Sequence, residues 1–410
     1  MNDMKAPARL IWALGVTQII GYGTLYYSFS ILAPAMARDL SIPEDRLFGL
    51  LSVALLMGGL LAPKAGKWAD RFGAGRLMVP GSLAAAVSLV CAAFSTNAFM
   101  FGASMIAMEL AATVVLYSTA FAAIVQVGGS KAQRSIVHLT LIAGFASTLF
   151  WPLTATLHEH LGWREIYLVF ALLNGAVCMP IHWWIGRFPR EPADSRPAAN
   201  SSGDSAVPPV KSPPQNAIFL LMLAGFALEG FVLASVLVHM VPLLTALGLG
   251  TAGLMVSTLF GPSQVASRLL NMIFGGRLSQ TVLAVISAGL LATALAVLMT
   301  TTPWLPGLIV FAILFGLGSG LASIVGGTLP LELFGRKEYG ARLGWVTAAR
   351  QFSSALAPFA FAVLLYSWGA KPSLTLSIGG SVLAVIFFGC IAISRHKSVS
   401  TDRNAVAVSR

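Results

Sequence analysis

Four ionisable side chains stand inside otherwise apolar stretches of this sequence: Glu109, Glu229, Arg268 and Arg350. Burial makes a carboxylic acid hold its proton and a nearby cation makes it release it. In a site of alternating polarity, Glu109 and Glu229 could therefore load and unload protons. The guanidinium of Arg268 offers a planar fork of donors suited to a carboxylate or other oxyanion. Gln264 lies four residues earlier, on the same helical face, and Arg350 supplies a second cation. Gln18, Tyr22 and Tyr26 recur at four-residue spacing and could offer amide and hydroxyl groups to a polar solute. His239 could titrate or bind the same solute. Each has a plainer alternative. The charges could be fixed ion pairs or, for the arginines, reach helix ends or the membrane surface. The stripe could make interhelical hydrogen bonds, and the histidine could be a capped end residue. Paired histidines, a metal-ligand set and a Ser/His/acid arrangement are all missing, so no enzyme, metal or cofactor is expected. Cys91, Cys178 and Cys390 stand singly, without disulfide or zinc spacing.

These residues need an apolar scaffold to hold them. The chain is 57% hydrophobic and only 10% charged, against about 25% charged in soluble domains. Too few ionic side chains exist to cover a globule of 410 residues, so lipid is the expected solvent. Spans of about 20 apolar residues are predicted near 10–36, 47–66, 77–96, 99–125, 135–156 and 165–186. A second set is predicted near 216–241, 252–274, 279–300, 305–330, 344–367 and 373–394. Backbone polar groups in a bilayer must be paired within the segment, so these are helices. Lys5 and Arg9 precede an apolar run too long for a signal peptide, which reads as a retained first helix. The Pro- and Ser-rich stretch 187–215 is expected to be a flexible cytoplasmic linker. It divides a bundle at 1–186 from one at 216–394, and residues 395–410 are expected to form a disordered cytoplasmic tail.

The net charge of +11 sets topology rather than marking a nucleic-acid partner. Arg38, Arg46, Arg164 and Lys371 fall on one side, Arg268 and Arg350 lie within helices, and all the other Lys and Arg lie opposite. That bias puts both termini in the cytoplasm. An ionised group at the bilayer centre costs ~2.5–3.5 kcal/mol on insertion scales and usually faces a cavity or a partner. The halves are weakly alike: Gly49-Leu50-Leu51 opens the second helix and Gly253-Leu254-Met255 the eighth.

Between the second and third helices stands Gly66-Lys67-Trp68-Ala69-Asp70-Arg71-Phe72-Gly73-Ala74-Gly75-Arg76. This resembles the cytoplasmic signature loop of the major facilitator superfamily at Gly66, Asp70, Arg71, Gly73 and Arg76, and departs from it at Gly75, where a base is usual. Gly162-Trp163-Arg164 resembles the superfamily's periplasmic turn before helix six. Leu333-Phe334-Gly335-Arg336, Tyr339-Gly340 and the Gln264/Arg268 pair resemble its monocarboxylate-transporter-like and oxalate–formate-exchanger-like branch, although the eukaryotic monocarboxylate carriers have Asp where Gln264 stands. The resemblance covers essentially the whole chain. It implies an all-α integral membrane fold of twelve helices in two pseudo-symmetric six-helix bundles. It places helices one, four, seven and ten around a central path, with Glu109 and Glu229 beside it. Gly66 should let a neighbouring helix approach closely, and Asp70 should face the positive end of helix eleven, latching the cytoplasmic side.

A monomeric secondary carrier in the inner (plasma) membrane follows, working by alternating access and using protons as coupling ion. No GxxxxGK[ST] motif is present to bind ATP. Gly316-Leu317-Gly318-Ser319-Gly320 lacks the strand a phosphate cradle needs and suits close helix packing instead. The arginines and the branch favour a small organic anion. Efflux of arsenite or antimonite is the alternative, with Gln18, Tyr22 and Tyr26 meeting the neutral trihydroxide. A transporter-like membrane sensor is the alternative of another class, for which the linker is too short to serve as an output domain.

Overall fold

The computed structural model describes residues 8–190, 215–240, 243–244, 247–249, 256, 258–275 and 278–408. These are helical, with no strand among the described residues. Helix α1 runs in three joined pieces, Ala8–Tyr22, a π-turn Gly23–Tyr27 and Ser28–Asp39. Then come α2 (Glu44–Phe72) and α3 (Ala74–Ala93). Helix α4 is broken into Ala98–Val115 and Tyr117–Gly128. Helix α5 comprises Ala132–Ala143 and Ala146–His160. Helix α6 comprises Trp163–Leu172, a π-turn Leu173–Cys178 and Met179–Ile185. The second half contributes α7 (Gln215–Val238), α8 (Phe260–Phe274), α9 (Gln280–Thr301), α10 (Leu305–Phe334), α11 (Tyr339–Trp368) and α12 (Ala370–Val408).

Ten of these, α2 to α7 and α9 to α12, are long and apolar enough to cross a bilayer. Helix α1 carries Thr17, Gln18, Tyr22, Thr24, Tyr26, Tyr27 and Ser28, which dilute its apolar character. The span expected at 252–274 begins among residues outside the described set, as does the Gly253-Leu254-Met255 repeat. Residues 191–214 of the expected linker also lie outside it. The tail expected to be disordered from 395 instead continues α12 to Val408. No Gly or Pro follows Gly389 to stop the helix.

The halves mirror each other where α3 and α9 begin. In the first, Gln126 at the end of α4 accepts from the Ala74 N–H at 2.9 Å and donates to the Ala69 carbonyl at 2.8 Å. In the second, Glu332 at the end of α10 accepts from the Gln280 N–H at 2.7 Å and the Thr281 hydroxyl at 3.0 Å, and pairs with Arg395. Each thus satisfies a helix N-terminus whose first N–H groups have no intrahelical partner. At the opposite end Asp39 accepts from Trp163 Nε1 at 2.9 Å and pairs with Arg164, which also donates to the Ser95 carbonyl at 3.1 Å. That clasp joins α1, α3 and α6.

Candidate functional site

The signature segment is shorter as a loop than its sequence suggests. Helix continues to Phe72 and resumes at Ala74, leaving Gly73 as the hinge at φ +95°, a conformation that favours glycine. Helix α11 begins at Tyr339 rather than near 344, which brings its first turn to Asp70. Asp70 accepts from the Gly340 N–H at 2.9 Å and the Ala341 N–H at 2.8 Å. A carboxylate there also meets the positive end of the helix dipole. Gly66 makes this possible, because a Cβ at that position would lie 2.0 Å from the Gly340 carbonyl oxygen. Arg71 lies over the Phe72 ring, and Arg76 donates to the Gly186 carbonyl at 3.4 Å. Gly75, where a base is usual, packs so that a Cβ would sit 3.0 Å from the Gly186 nitrogen. Arg336 adds a contact between the halves, donating to the Val125 carbonyl at 3.1 Å near the end of α4.

Helices α8 and α10 pack almost backbone to backbone. A Cβ on Gly316 would meet the Phe260 carbonyl at 2.7 Å, and one on Gly320 the Gln264 carbonyl at 2.5 Å, the close approach small residues allow in membranes. This places Gln264 and Arg268 against the adjoining turns of α10. Gln264 Nε2 donates to Ser319 Oγ at 2.6 Å and Arg268 Nη2 to Ser323 Oγ at 3.2 Å. Arg268 is only 5% exposed, and among the described residues its Nε has no hydrogen-bond partner and no carboxylate lies within ion-pair distance of it. Its Nη1 covers Gly144 of α5, so the cation reaches across to the first half. Arg350 stands about three turns into α11, partly exposed, with its Nη1 beside Gly326.

The fixed ion pairs that sequence allowed are not formed by either carboxylate among the described residues. Glu109 Oε1 instead accepts from Gln351 Nε2 at 2.7 Å, a bond between α4 and α11. Glu229 is 2% exposed, with Ser287 Oγ of α9 at 2.6 Å from its Oε1. The same hydroxyl lies 3.0 Å from the Gly318 carbonyl. A serine hydroxyl has one proton to donate. Both contacts are satisfied together when Glu229 is protonated and donates to Ser287, which donates to Gly318.

The polar stripe of α1 divides. Gln18 is fully buried and donates to the Val115 carbonyl at 2.8 Å. That carbonyl is left free where Leu116 turns extended and breaks α4. The Tyr22 hydroxyl faces the Tyr117 N–H on the other side of the break. Gln18 and Tyr22 therefore meet the broken helix, the interhelical bonding that the sequence allowed beside solute contact. Tyr26 keeps 51% of its surface accessible, with its ring against Tyr22 and Tyr27. His239 is engaged by the Ser235 carbonyl at 3.1 Å and packs on Phe361. Sequence reasoning passed over Tyr27, Tyr117, Trp151, Gln351, Ser287, Ser319 and Ser323. The three aromatic residues form a group with Tyr22 and Tyr26, with the Tyr22–Tyr117 rings 4.7 Å apart, Tyr22–Tyr27 6.3 Å, Tyr26–Tyr27 5.3 Å and Tyr27–Trp151 5.9 Å. Arg268 lies close enough to Tyr27 and Tyr117 to interact electrostatically with both, and Arg350 likewise with Tyr22, Tyr26 and Glu229. The second piece of α4 starts at Tyr117, so its positive end adds to these cations. Interrupted helices at mid-membrane recur at solute sites in carriers. No group of three or more His, Cys, Asp or Glu that could hold a metal gathers among the described residues.

A helical bundle with ten helices long and apolar enough to cross a bilayer, and with ionisable side chains held in its interior, defines a membrane carrier. The family model described as Major Facilitator Superfamily matches residues 14–283, and the chain belongs to that family. It is a multi-pass transporter and not an enzyme. Among solved structures, the human organic anion transporter MFSD10 (TETRAN) superposes with a TM-score of 0.74 at 15% identity. The match covers 93% of this chain and 99% of that one. The proton:xylose symporter XylE bound to 6-bromo-6-deoxy-D-glucose superposes with a TM-score of 0.68 at 13% identity, covering 93% and 95%. At such identities the likeness is one of fold. No curated protein matches the sequence.

Proposed function

We propose that this transporter carries a small organic anion by alternating access, driven by protons, as a monomer in the plasma membrane with both termini cytoplasmic. The observation that carries the reading is Arg268, a buried guanidinium at the contact between the halves with no carboxylate paired to it among the described residues. An uncompensated cation in a membrane is costly unless a ligand or water meets it. Arg350 and the start of the second piece of α4 add positive potential beside it. Proton coupling is supported by Glu109 and Glu229, neither paired to a cation, and by the single Ser287 hydroxyl that must serve two neighbours. Asp70 and Arg336 would latch one end of the path in this state. The human neighbour is itself named an organic anion transporter, which accords with the reading without carrying it.

The test is uptake of a panel of carboxylates into proteoliposomes with and without an imposed pH gradient. Gradient-driven uptake that Arg268→Gln abolishes, with the variant still folded and inserted, is the expected result. Unchanged transport by that variant would remove Arg268 from the site. Gradient-driven movement of arsenite with no carboxylate transported would favour the metalloid alternative.

A further inference from the structure

Two chemically different groups of side chains come together where the halves meet. Tyr26 and Tyr27 of α1 and Tyr117 of α4 are all at least partly accessible. Trp151 of α5 backs Tyr27 with its ring edge-on at 5.9 Å, and Phe121 stacks on Tyr117 at 5.0 Å. These spacings lie in the range aromatic rings prefer and leave ring faces and edges available to another ring. The second half brings two cations to them: Arg268, whose Nη1 covers Gly144 of α5, and Arg350, whose Nη1 lies beside Gly326, each near enough to interact with these tyrosines. Guanidinium binds a carboxylate through its fork, and Nε of Arg268 is the donor left without a partner. A small hydrophilic anion such as acetate would use the cations and leave the rings idle. A neutral aromatic solute would use the rings and leave the cations uncompensated.

We propose that the solute is an aromatic monocarboxylate, its carboxylate taken by Arg268 and its ring packed among Tyr26, Tyr27 and Tyr117. This rests on the reading of the site as an anion site and narrows it. The carboxylate meets the cations, and the ring supplies the contact area that selects it. Tyr22, occupied at the break in α4, backs the rings without being a contact itself.

Binding to the full-length protein in detergent tests this, read as ligand-dependent thermal stabilisation over graded concentrations. The probes are benzoate, cyclohexanecarboxylate, benzyl alcohol and acetate. Benzoate and cyclohexanecarboxylate share charge and approximate size and differ in the π-face. Benzoate should bind roughly tenfold more tightly than cyclohexanecarboxylate, as expected when more than one ring contributes a few-fold each. Benzyl alcohol and acetate should both bind far more weakly. Tyr117→Leu and, separately, Tyr27→Leu should narrow the benzoate preference, while Arg268→Gln should abolish binding of both ring carboxylates. Equal binding of benzoate and cyclohexanecarboxylate to the unaltered protein overturns the aromatic proposal and leaves the anion reading standing. Failure of every carboxylate to bind overturns both.

Discussion

Replacing Gly66 by alanine should drive the two halves apart at the signature-loop end. The added Cβ would lie 2.0 Å from the Gly340 carbonyl oxygen and 3.1 Å from Ala341 Cα, where an ordinary contact begins at 3.4 Å. Both obstacles are backbone, so no side chain can swing away. Making up the difference of about 1.4 Å requires α2 or α11 to move. The two Asp70 bonds stand at 2.9 and 2.8 Å, and a shift of about 1.4 Å along them takes both past 3.5 Å. Hydrogen bonds to a charged group contribute roughly 1.5–3 kcal/mol each. Their joint loss therefore comes to roughly 3–6 kcal/mol, and the lower figure alone moves a conformational equilibrium about 150-fold. Spin labels at the exposed positions 67 and 337, with Cys91, Cys178 and Cys390 replaced by serine, would read the separation across this end by pulsed dipolar spectroscopy. Gly66→Ala should replace the short-distance population with a longer one. Gly379→Ala, where nothing lies within 4 Å of the new Cβ, should leave it unchanged. A Gly66→Ala distance distribution identical to the wild type would show that the contact with Gly340 does not set the closed state.

Further outcomes follow from the other contacts. Glu229→Gln, which keeps a group able to donate to Ser287, should retain solute exchange down equal gradients while losing accumulation against a pH gradient, and full accumulation would remove Glu229 from coupling. Gln126→Leu strips the Ala74 N–H and the Ala69 carbonyl of their partner at once. It should destabilise the protein by roughly 1–3 kcal/mol, read as a lowered melting temperature in detergent, and an unchanged temperature would mean water replaces both bonds. Asp39, near the end away from the signature loop, is held below the usual carboxylate range chiefly by the Trp163 N–H, against an opposing cost of burial, with Arg164 and Arg38 adding to the lowering. An acid whose folded pKa is depressed contributes stability above its unfolded pKa and loses it as pH falls through the folded one. The clasp should therefore loosen only below the ordinary carboxylate range, seen as a change in Trp163 emission that Asp39→Asn removes.

How far the site was legible depended on whether a residue's meaning was its own or borrowed. Glu109, Glu229, Arg268 and Arg350 announced themselves because a charge inside an apolar run needs a reason wherever it lands. Asp70 and Gly66 were legible because their spacing belongs to a recognisable loop, and the resemblance that loop carries also implied their partner at the start of α11, where helix polarity suits a carboxylate. Ser287, Gln351, Ser319 and Ser323 carried no such mark. A serine or glutamine in a membrane helix is ordinary, and these four matter only because a carboxylate, an amide or a guanidinium from a helix distant in sequence comes to rest on them. The break in α4 was hidden for a stronger reason. The stretch Ala112-Thr-Val-Val-Leu-Tyr-Ser-Thr119 contains neither Gly nor Pro, so local propensity argues for an unbroken helix. What stabilises the break lies on α1, where Gln18 takes the carbonyl of Val115 and Tyr22 faces the N–H of Tyr117. Bilayer physics forbids an unsatisfied backbone group at that depth. The polar stripe of α1 and the broken helix are thus one feature seen from two sides, and neither is stable in lipid without the other. The stripe looked like a solute surface because polarity on a membrane helix implies a partner, and here the partner is backbone. Tyr26, one turn further on, makes no such hydrogen bond among the described residues and stays half exposed.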